Sequence, residues 1–450
     1  MGAKLLCLCI AFTLVAYYIY SPIPENVEQP WKLMLVSTVF RTLGHVAEAA
    51  ERLGLANYMD VLMLFSTAEH VAPTSDENVT VTDTELSGVA VRLFLPKKPA
   101  DGLRRAVLYF HGGGWCVGDA GMKGYDFLAR RTSSQLNAVV VSVNYRLAPK
   151  YHFPVQFEDV YSVSKFFLQS RVLSQYGVDP TRVCVAGDSA GGNLAAAVAQ
   201  KLLEDSEVTT KLKAQALIYP ALQTLDLNLP SYHQNADMPV LSKSLMVRFW
   251  SEYFTSDPSL REAITSNRHV PAQWGHLFQF VNWSTLLPDR MKKGHVYTGP
   301  VFGSPALAKK YPGFLDRRAA PLLAAEAQLR GLPPTYILTC EHDVLRDDGV
   351  MYATRLKAAG VPVTHEHAED GFHWAAFHPF PLLCHSNGLV TACAIIFSHS
   401  CCLVSARSLP LVPGAPQAAE EQWAEPACVA VVESAHCIPA AWLRVSTARP

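Results

Sequence analysis

The chain has 450 residues, enough for one large domain with insertions or for two domains. Half of the residues are hydrophobic, so a sizeable core is expected, and a net charge of −1 gives no electrostatic basis for binding nucleic acid. The sequence has no heptads, tandem repeats or long charge runs.

Residues 1–4 end in Lys4, and 5–24 carry no charge, with Leu5 to Tyr20 strongly apolar and Glu25 and Glu28 beyond. The run is slightly short for a membrane helix of about 20 residues, and a cleaved signal peptide is the alternative. It ends in Tyr-Tyr-Ile-Tyr-Ser-Pro rather than a small-x-small site. Tyr17, Tyr18 and Tyr20 suit a membrane interface, so an uncleaved anchor is expected. Lys4 on the N-terminal flank keeps that end cytosolic and puts the rest across the membrane. Asn78-Val79-Thr80 and Asn282-Trp283-Ser284 are sequons that agree with this side, with Asn78 and Asn282 as the glycan acceptors. Residues 25–80 read as N-terminal cap helices and a linker, with apolar residues at helical spacing from Trp31 to about Ser66.

Residues 81–378 carry the chemistry. The strand run Ala106-Val107-Leu108-Tyr109-Phe110 leads into His111-Gly112-Gly113-Gly114-Trp115, where glycines let backbone N–H groups approach a substrate carbonyl. A phosphate-cradling loop is disfavoured, because no Lys-Ser/Thr pair follows and no G-x-G-x-x-G is present. A second strand run, Arg182 to Ala186, leads into Gly187-Asp188-Ser189-Ala190-Gly191, followed by helix-forming residues from Asn193 to Leu202. This G-x-S-x-G turn exposes Ser189 as a candidate nucleophile and leaves the Ala190 N–H at a helix N-terminus, where partial positive charge favours an oxyanion. Residues from about 225 to 315 interrupt the strand–helix alternation and are rich in aromatics, including Phe249, Trp250, Tyr253 and Phe278. They are expected to form a helical cap with an apolar pocket.

An attacking serine needs a base and an orienting carboxylate, and after a G-x-S-x-G turn the chain order is Ser, acid, His. The strand Thr335 to Thr339 leads to Asp343, the preferred acid, with Glu341 and Asp348 as runners-up and Asp347-Asp348 opening the next helix. The strand Val361 to His367 leads through Asp370-Gly371-Phe372 to His373, the preferred base over His342, His365, His367 and His378. His365 and His367 share a strand face, but no third ligand stands out, so a solvated face is preferred to a metal site. Gly-Asp-Ser also occurs in chymotrypsin-like proteases; those need His and Asp before Ser in an all-β chain, the reverse of the order here.

From Met1 to about His373 the chain resembles the hormone-sensitive-lipase branch of the α/β-hydrolases. The resemblance rests on Tyr17 to Tyr20, Pro73 to Thr80, His111 to Gly118, Asn144 to Pro154, Gly187 to Asn193, Asp343 to Asp348 and Asp370 to His373. It implies an α/β fold: a mostly parallel sheet with helices on both faces and a helical cap. It also implies Ser189 as nucleophile, Asp343 as orienting acid and His373 as base. The oxyanion loop is His111, Gly112, Gly113 and Gly114, with backbone donors at Gly113, Gly114 and Ala190. The implied activity is hydrolysis of carboxylic esters and arylacetamides, with small lipophilic esters or amides as substrates. The implied site of action is the endoplasmic reticulum membrane, with the catalytic domain lumenal and no metal or organic cofactor required. Neutral lipid hydrolysis is the alternative. Cys116 and Cys340 both sit at the C-terminal rim of the sheet in an oxidising compartment, and the resemblance also points to a disulfide between them.

The pattern dissolves after Trp374. Residues 379–450 hold six cysteines and eight prolines without amphipathic period, where the family closes with a helix. An alternative splice end or a shifted frame accounts for this. A disordered tail is expected, and loss of the closing helix puts the activity of this form in question.

Overall fold

The computed structural model describes residues 2–27 and 30–374. The expectations for the tail from 379 to 450, the closing helix and His378 lie outside the described residues.

Eight strands form one sheet: β1 (Val79–Leu86), β2 (Val89–Pro96), β3 (Arg104–Phe110), β4 (Ala138–Val143), β5 (Val178–Asp188), β6 (Ala214–Ile218), β7 (Thr335–His342) and β8 (Val363–Phe372). Their order is β1-β2-β4-β3-β5-β6-β7-β8. β1 and β2 form an antiparallel hairpin, β2 pairs antiparallel with β4, and every later pairing is parallel. Side-chain alternation divides the interior into two layers. Ala106, Leu108 and Phe110 of β3 with Val183 and Val185 of β5 face one layer, while Val107, Tyr109, Cys184 and Ala186 face the other. Such near-continuous apolar strands are what a sheet covered on both faces requires.

The helices supply both covers. α1 (Gly2–Ile19), α2 (Pro30–Arg52) and α3 (Tyr58–Ala68) precede the sheet, and α4 (Lys123–Leu136) covers one face through Tyr125, Ala129 and Leu136. α5 (Val155–Phe167), α6 (Ser170–Gln175), α7 (Ala190–Glu204) and the helix Arg346–Ala358 cover the other. Full burial of each Val or Leu here stabilises the fold by about 1.5–3 kcal/mol. Between β6 and β7 the chain forms short helices, including α8 (Pro230–Gln234) and α9 (Lys243–Phe254), that extend the core beyond the strand ends.

The N-terminal run departs from its expected bounds. α1 stops at Ile19, before Pro22 and Pro24, because the residue preceding a proline is pushed out of helical geometry. Among the described residues, no helix is long and apolar enough to cross a membrane.

Candidate active site

A one-residue turn between strand and helix carries the serine. β5 ends at Asp188 and α7 begins at Ala190, so Ser189 alone makes the reversal, with φ 53° and ψ −118°. A side chain rarely holds a positive φ, and such strain persists only where the surroundings enforce it. They do so by close backbone approach: a Cβ on Gly187 would overlap the Gly191 carbonyl, and one on Gly191 would overlap the carbonyls of Phe110 and His111. The Ser189 N–H donates to the Ile218 carbonyl at 2.9 Å, tying the turn to β6.

The structure brings Ser189 together with residues more than 150 positions away. His373 Nε2 lies 3.0 Å from Ser189 Oγ, and His373 Nδ1 lies 2.7 Å from Asp343 Oδ2. Asp343 is fully buried, and its other oxygen accepts the Leu345 N–H at 2.9 Å. The competing groups are engaged elsewhere. Glu341 binds Arg346 and His367, Asp347 accepts from Arg346 and the Ser231 N–H, and Asp348 accepts from the Leu222 N–H and Gln223. Burial pushes the Asp348 carboxyl up to about 7. His342 binds Asn26.

His365 and His367 correct the expectation of a solvated strand face. Both imidazoles are half-buried and converge on the Thr339 hydroxyl, at 2.9 and 2.8 Å, and burial pushes the His365 imidazole down to about 4.

The loop after β3 is divided in its roles. The Gly112 N–H is already engaged with Tyr125 Oη at 3.0 Å, and buried His111 stacks on Tyr145 with centroids 4.4 Å apart. These two residues hold the loop in place. Gly113 and Gly114 line the cavity at Ser189, and their N–H groups and that of Ala190 have no hydrogen-bond acceptor among the described residues. Gly113 holds φ 98°, and a Cβ there would overlap the Val117 carbonyl. Trp115 fastens the loop to α9, lying 4.3 Å from both Trp250 and Tyr253 between ring centroids.

Asp188, beside the serine, is a site residue that motif reading passed over. It is buried under the loop, where Tyr109 Oη and Tyr125 Oη donate to it at 2.6 and 3.1 Å. Burial pushes its carboxyl up to about 6, against the pull of those hydroxyls. The available signal was an acid inside an otherwise apolar strand end. A second omission is the brace on His373. Phe372 packs against Val27 and Leu33, and Asn26 Nδ2 donates to the Glu369 carbonyl at 2.6 Å. The N-terminal segment thus holds the end of β8.

The cavity at Ser189 has a volume of about 150 Å³ and is mostly apolar, walled by Phe40, Leu62, Phe65, Leu245, Phe249 and Trp374.

The remaining expectations are placed as follows. Asn78 is exposed at the start of β1; Asn282 is half-buried and caps a short helix, its Oδ1 accepting from Ser284. The expected Cys116–Cys340 bridge is not made. Cys116 is a free thiol, buried with the layer of Leu108, and burial pushes its thiol well up; Cys340 packs in the opposite layer. Membership of the same rim did not reveal that β5 and β6 stand between β3 and β7.

A parallel sheet with a serine on the strand–helix turn, an imidazole and an acid on later strand ends, and glycine donors opposite defines a hydrolase class. The family model described as alpha/beta hydrolase fold matches residues 107–277 and 300–378, and the chain belongs to that family, within its carboxylic ester hydrolases. Among its relatives is arylacetamide deacetylase of Oryctolagus cuniculus, 61% identical over 83% of this chain and 94% of that protein. Neutral cholesterol ester hydrolase 1 of Bos taurus is 45% identical over 83% of this chain and 93% of its own length. Of solved structures, the hyperthermophilic esterase of Pyrobaculum calidifontis superposes with a TM-score of 0.57 at 25% identity, covering 84% of this chain and 99% of that one. A thermostable esterase from Pseudomonas putida gives 0.52 at 26% identity over 79% and 94%.

Proposed function

We propose that this chain is a membrane-anchored, lumenal serine hydrolase that cleaves small lipophilic carboxylic esters and arylacetamides. The observation that carries the proposal is the line Ser189–His373–Asp343, at 3.0 and 2.7 Å, opening into a mostly apolar cavity. Ser189 Oγ attacks the substrate carbonyl as His373 Nε2 takes its proton. Asp343 fixes the imidazole with Nδ1–H toward itself and stabilises the imidazolium. The carbonyl oxygen becomes an oxyanion facing the N–H groups of Gly113, Gly114 and Ala190, where preorganised donors act most strongly. His373 returns the proton to the departing alcohol or arylamine, leaving an acyl-Ser189. Water, deprotonated by the same imidazole, then releases the acid and restores the serine.

The apolar lining suits a lipophilic acyl or aryl group, and the 61% identity to an arylacetamide deacetylase supports the arylacetamide reading. For the anchor, α1 provides the support: Leu5, Leu8, Phe12 and Tyr17 are all more than 60% exposed, on a helix with no charge after Lys4. Its 18 residues rise about 27 Å against a hydrocarbon core of about 30 Å, a mismatch that bilayer thinning and interfacial tyrosines accommodate.

The test is turnover by the full chain in microsomal membranes of p-nitrophenyl acetate, acetanilide and a cholesteryl ester. The first two are expected to be cleaved in a Ser189-dependent manner. Preference for the cholesteryl ester would overturn the substrate assignment.

A further inference from the structure

α2 is apolar on two opposite faces. One face does the expected work: Leu33 and Ala47 are buried, and Phe40 and Leu43 wall the cavity at Ser189. The other face points outward. Trp31, Leu35, Val39 and Val46 are 57%, 47%, 56% and 53% exposed, and Thr42 and Ala49 complete the same row at helical spacing. No charged residue interrupts this row; Arg41, Glu48 and Arg52 flank it on one side and Lys32 on the other. The turn to α3 continues it with Leu53 and Leu55, 72% and 76% exposed. Single exposed apolar side chains are ordinary, but a continuous uncharged row along one helix marks a contact surface.

What covers it is indicated by α1, whose C-terminal end lands on the row. Tyr18 Oη lies 3.0 Å from Thr42 Oγ1 and 3.3 Å from His45 Nδ1, and Arg41 binds the Tyr18 carbonyl and stacks 4.9 Å from its ring centroid. The medium that surrounds the end of α1 therefore also meets the outer face of α2.

We propose that the outer row of α2, from Trp31 to Leu55, is a second membrane contact that lies in the bilayer interface, and that lipophilic esters enter the Ser189 cavity from the membrane between α2 and α3. This rests on the reading of α1 as the anchor. Trp31 and Tyr18 carry the amphipathic rings of that interface, and the half-buried Lys32 and exposed Arg52 reach its headgroups. Since one helix presents both the row and the cavity wall, the substrate passes only about one helix diameter, roughly 10 Å, without crossing bulk water.

The test places a photo-crosslinking amino acid at Leu35, Val46, Leu8 or Asp60 of the full chain in phosphatidylcholine vesicles, with adducts read by mass. Lipid adducts are expected at Leu8, Leu35 and Val46 and not at Asp60, which is exposed on α3. Adducts at Leu8 alone would leave the anchor standing and overturn the α2 contact. Their absence at Leu8 would instead overturn the anchor, and with it this proposal. A cross-linked dimer at Val46 would assign the row to a second copy of the chain. In parallel, Leu35→Glu with Val46→Glu should raise KM for a vesicle-dissolved long-chain p-nitrophenyl ester about 10-fold or more. Its kcat, and turnover of soluble p-nitrophenyl acetate, should be unchanged. Equal losses on both substrates, or no loss on either, would overturn the entry route.

Discussion

The strand-end rim around Ser189 and the N-terminal layer of α1 to α3 use apolar residues in opposite ways. At the rim, Phe110, Val185, Ala190 and Leu217 are all within 1% of full burial, and their packing holds a strained serine against backbone carbonyls. In the N-terminal layer, large apolar residues stand half or more exposed along α1 and α2. Cohesion at the rim comes from within the chain, whereas the N-terminal layer is completed by its surroundings. The two regions nevertheless meet, because Phe40 and Leu43 on α2 wall the cavity and Leu33 braces Phe372 beside His373.

Changes at the rim should have the largest effects. Ser189→Ala should lower turnover of p-nitrophenyl acetate by about 10⁶-fold, with circular dichroism unchanged. Asp343→Asn should lower it by about 10⁴-fold, because the imidazole loses the partner that fixes its tautomer, while Glu341→Gln should stay within about 10-fold. If Glu341→Gln were the worse of the two, the acid assigned from geometry would be wrong.

Stability separates the regions next. Gly191→Ala forces a Cβ into the Phe110 carbonyl and should lower Tm by about 10 °C or more. Leu35→Ala, on the outer row of α2, should shift Tm of the detergent-solubilised chain by less than about 2 °C. Equal shifts would erase the distinction between the two layers.

The smallest effect concerns Asp188. Its carboxyl, ordinarily near 3.8, is pushed up to about 6 by burial, so the folded chain binds its proton more tightly than the unfolded chain. The stabilisation is complete below about pH 4 and is lost as pH rises through about 6. Urea midpoints at pH 4.5 and 7.5 should therefore fall less with pH in Asp188→Asn than in the unaltered chain. An unchanged difference between the two pH values would mean that Asp188 is ionised throughout.

Local motifs explain how much of this was legible in the sequence. The turn at Gly187–Gly191, the loop at His111–Gly114 and the strand ends before Asp343 and His373 each follow a recognisable apolar run, so the parallel sheet and the three converging side chains could be read in order. Relations across the sheet could not. The packing of Cys116 and Cys340 in different layers depends on how the loop after β3 folds back, and the sharing of Thr339 by His365 and His367 depends on the register between β7 and β8. The brace of Asn26, Val27 and Leu33 on the His373 segment links chain positions more than 300 residues apart, beyond any periodicity. The outer row of α2 was visible only as helical spacing, since spacing gives a face and not what lies opposite it.

The central claim is that Ser189 is a nucleophile activated by His373, and covalent labelling tests it most directly. The full chain in membranes would be treated with a fluorophosphonate, digested, and the modified peptide identified by mass. The account predicts one adduct, on Ser189 in the peptide from Val183 to Lys201, and its loss in His373→Ala. An adduct on another residue, or esterase turnover that persists with Ser189 unmodified, would contradict it.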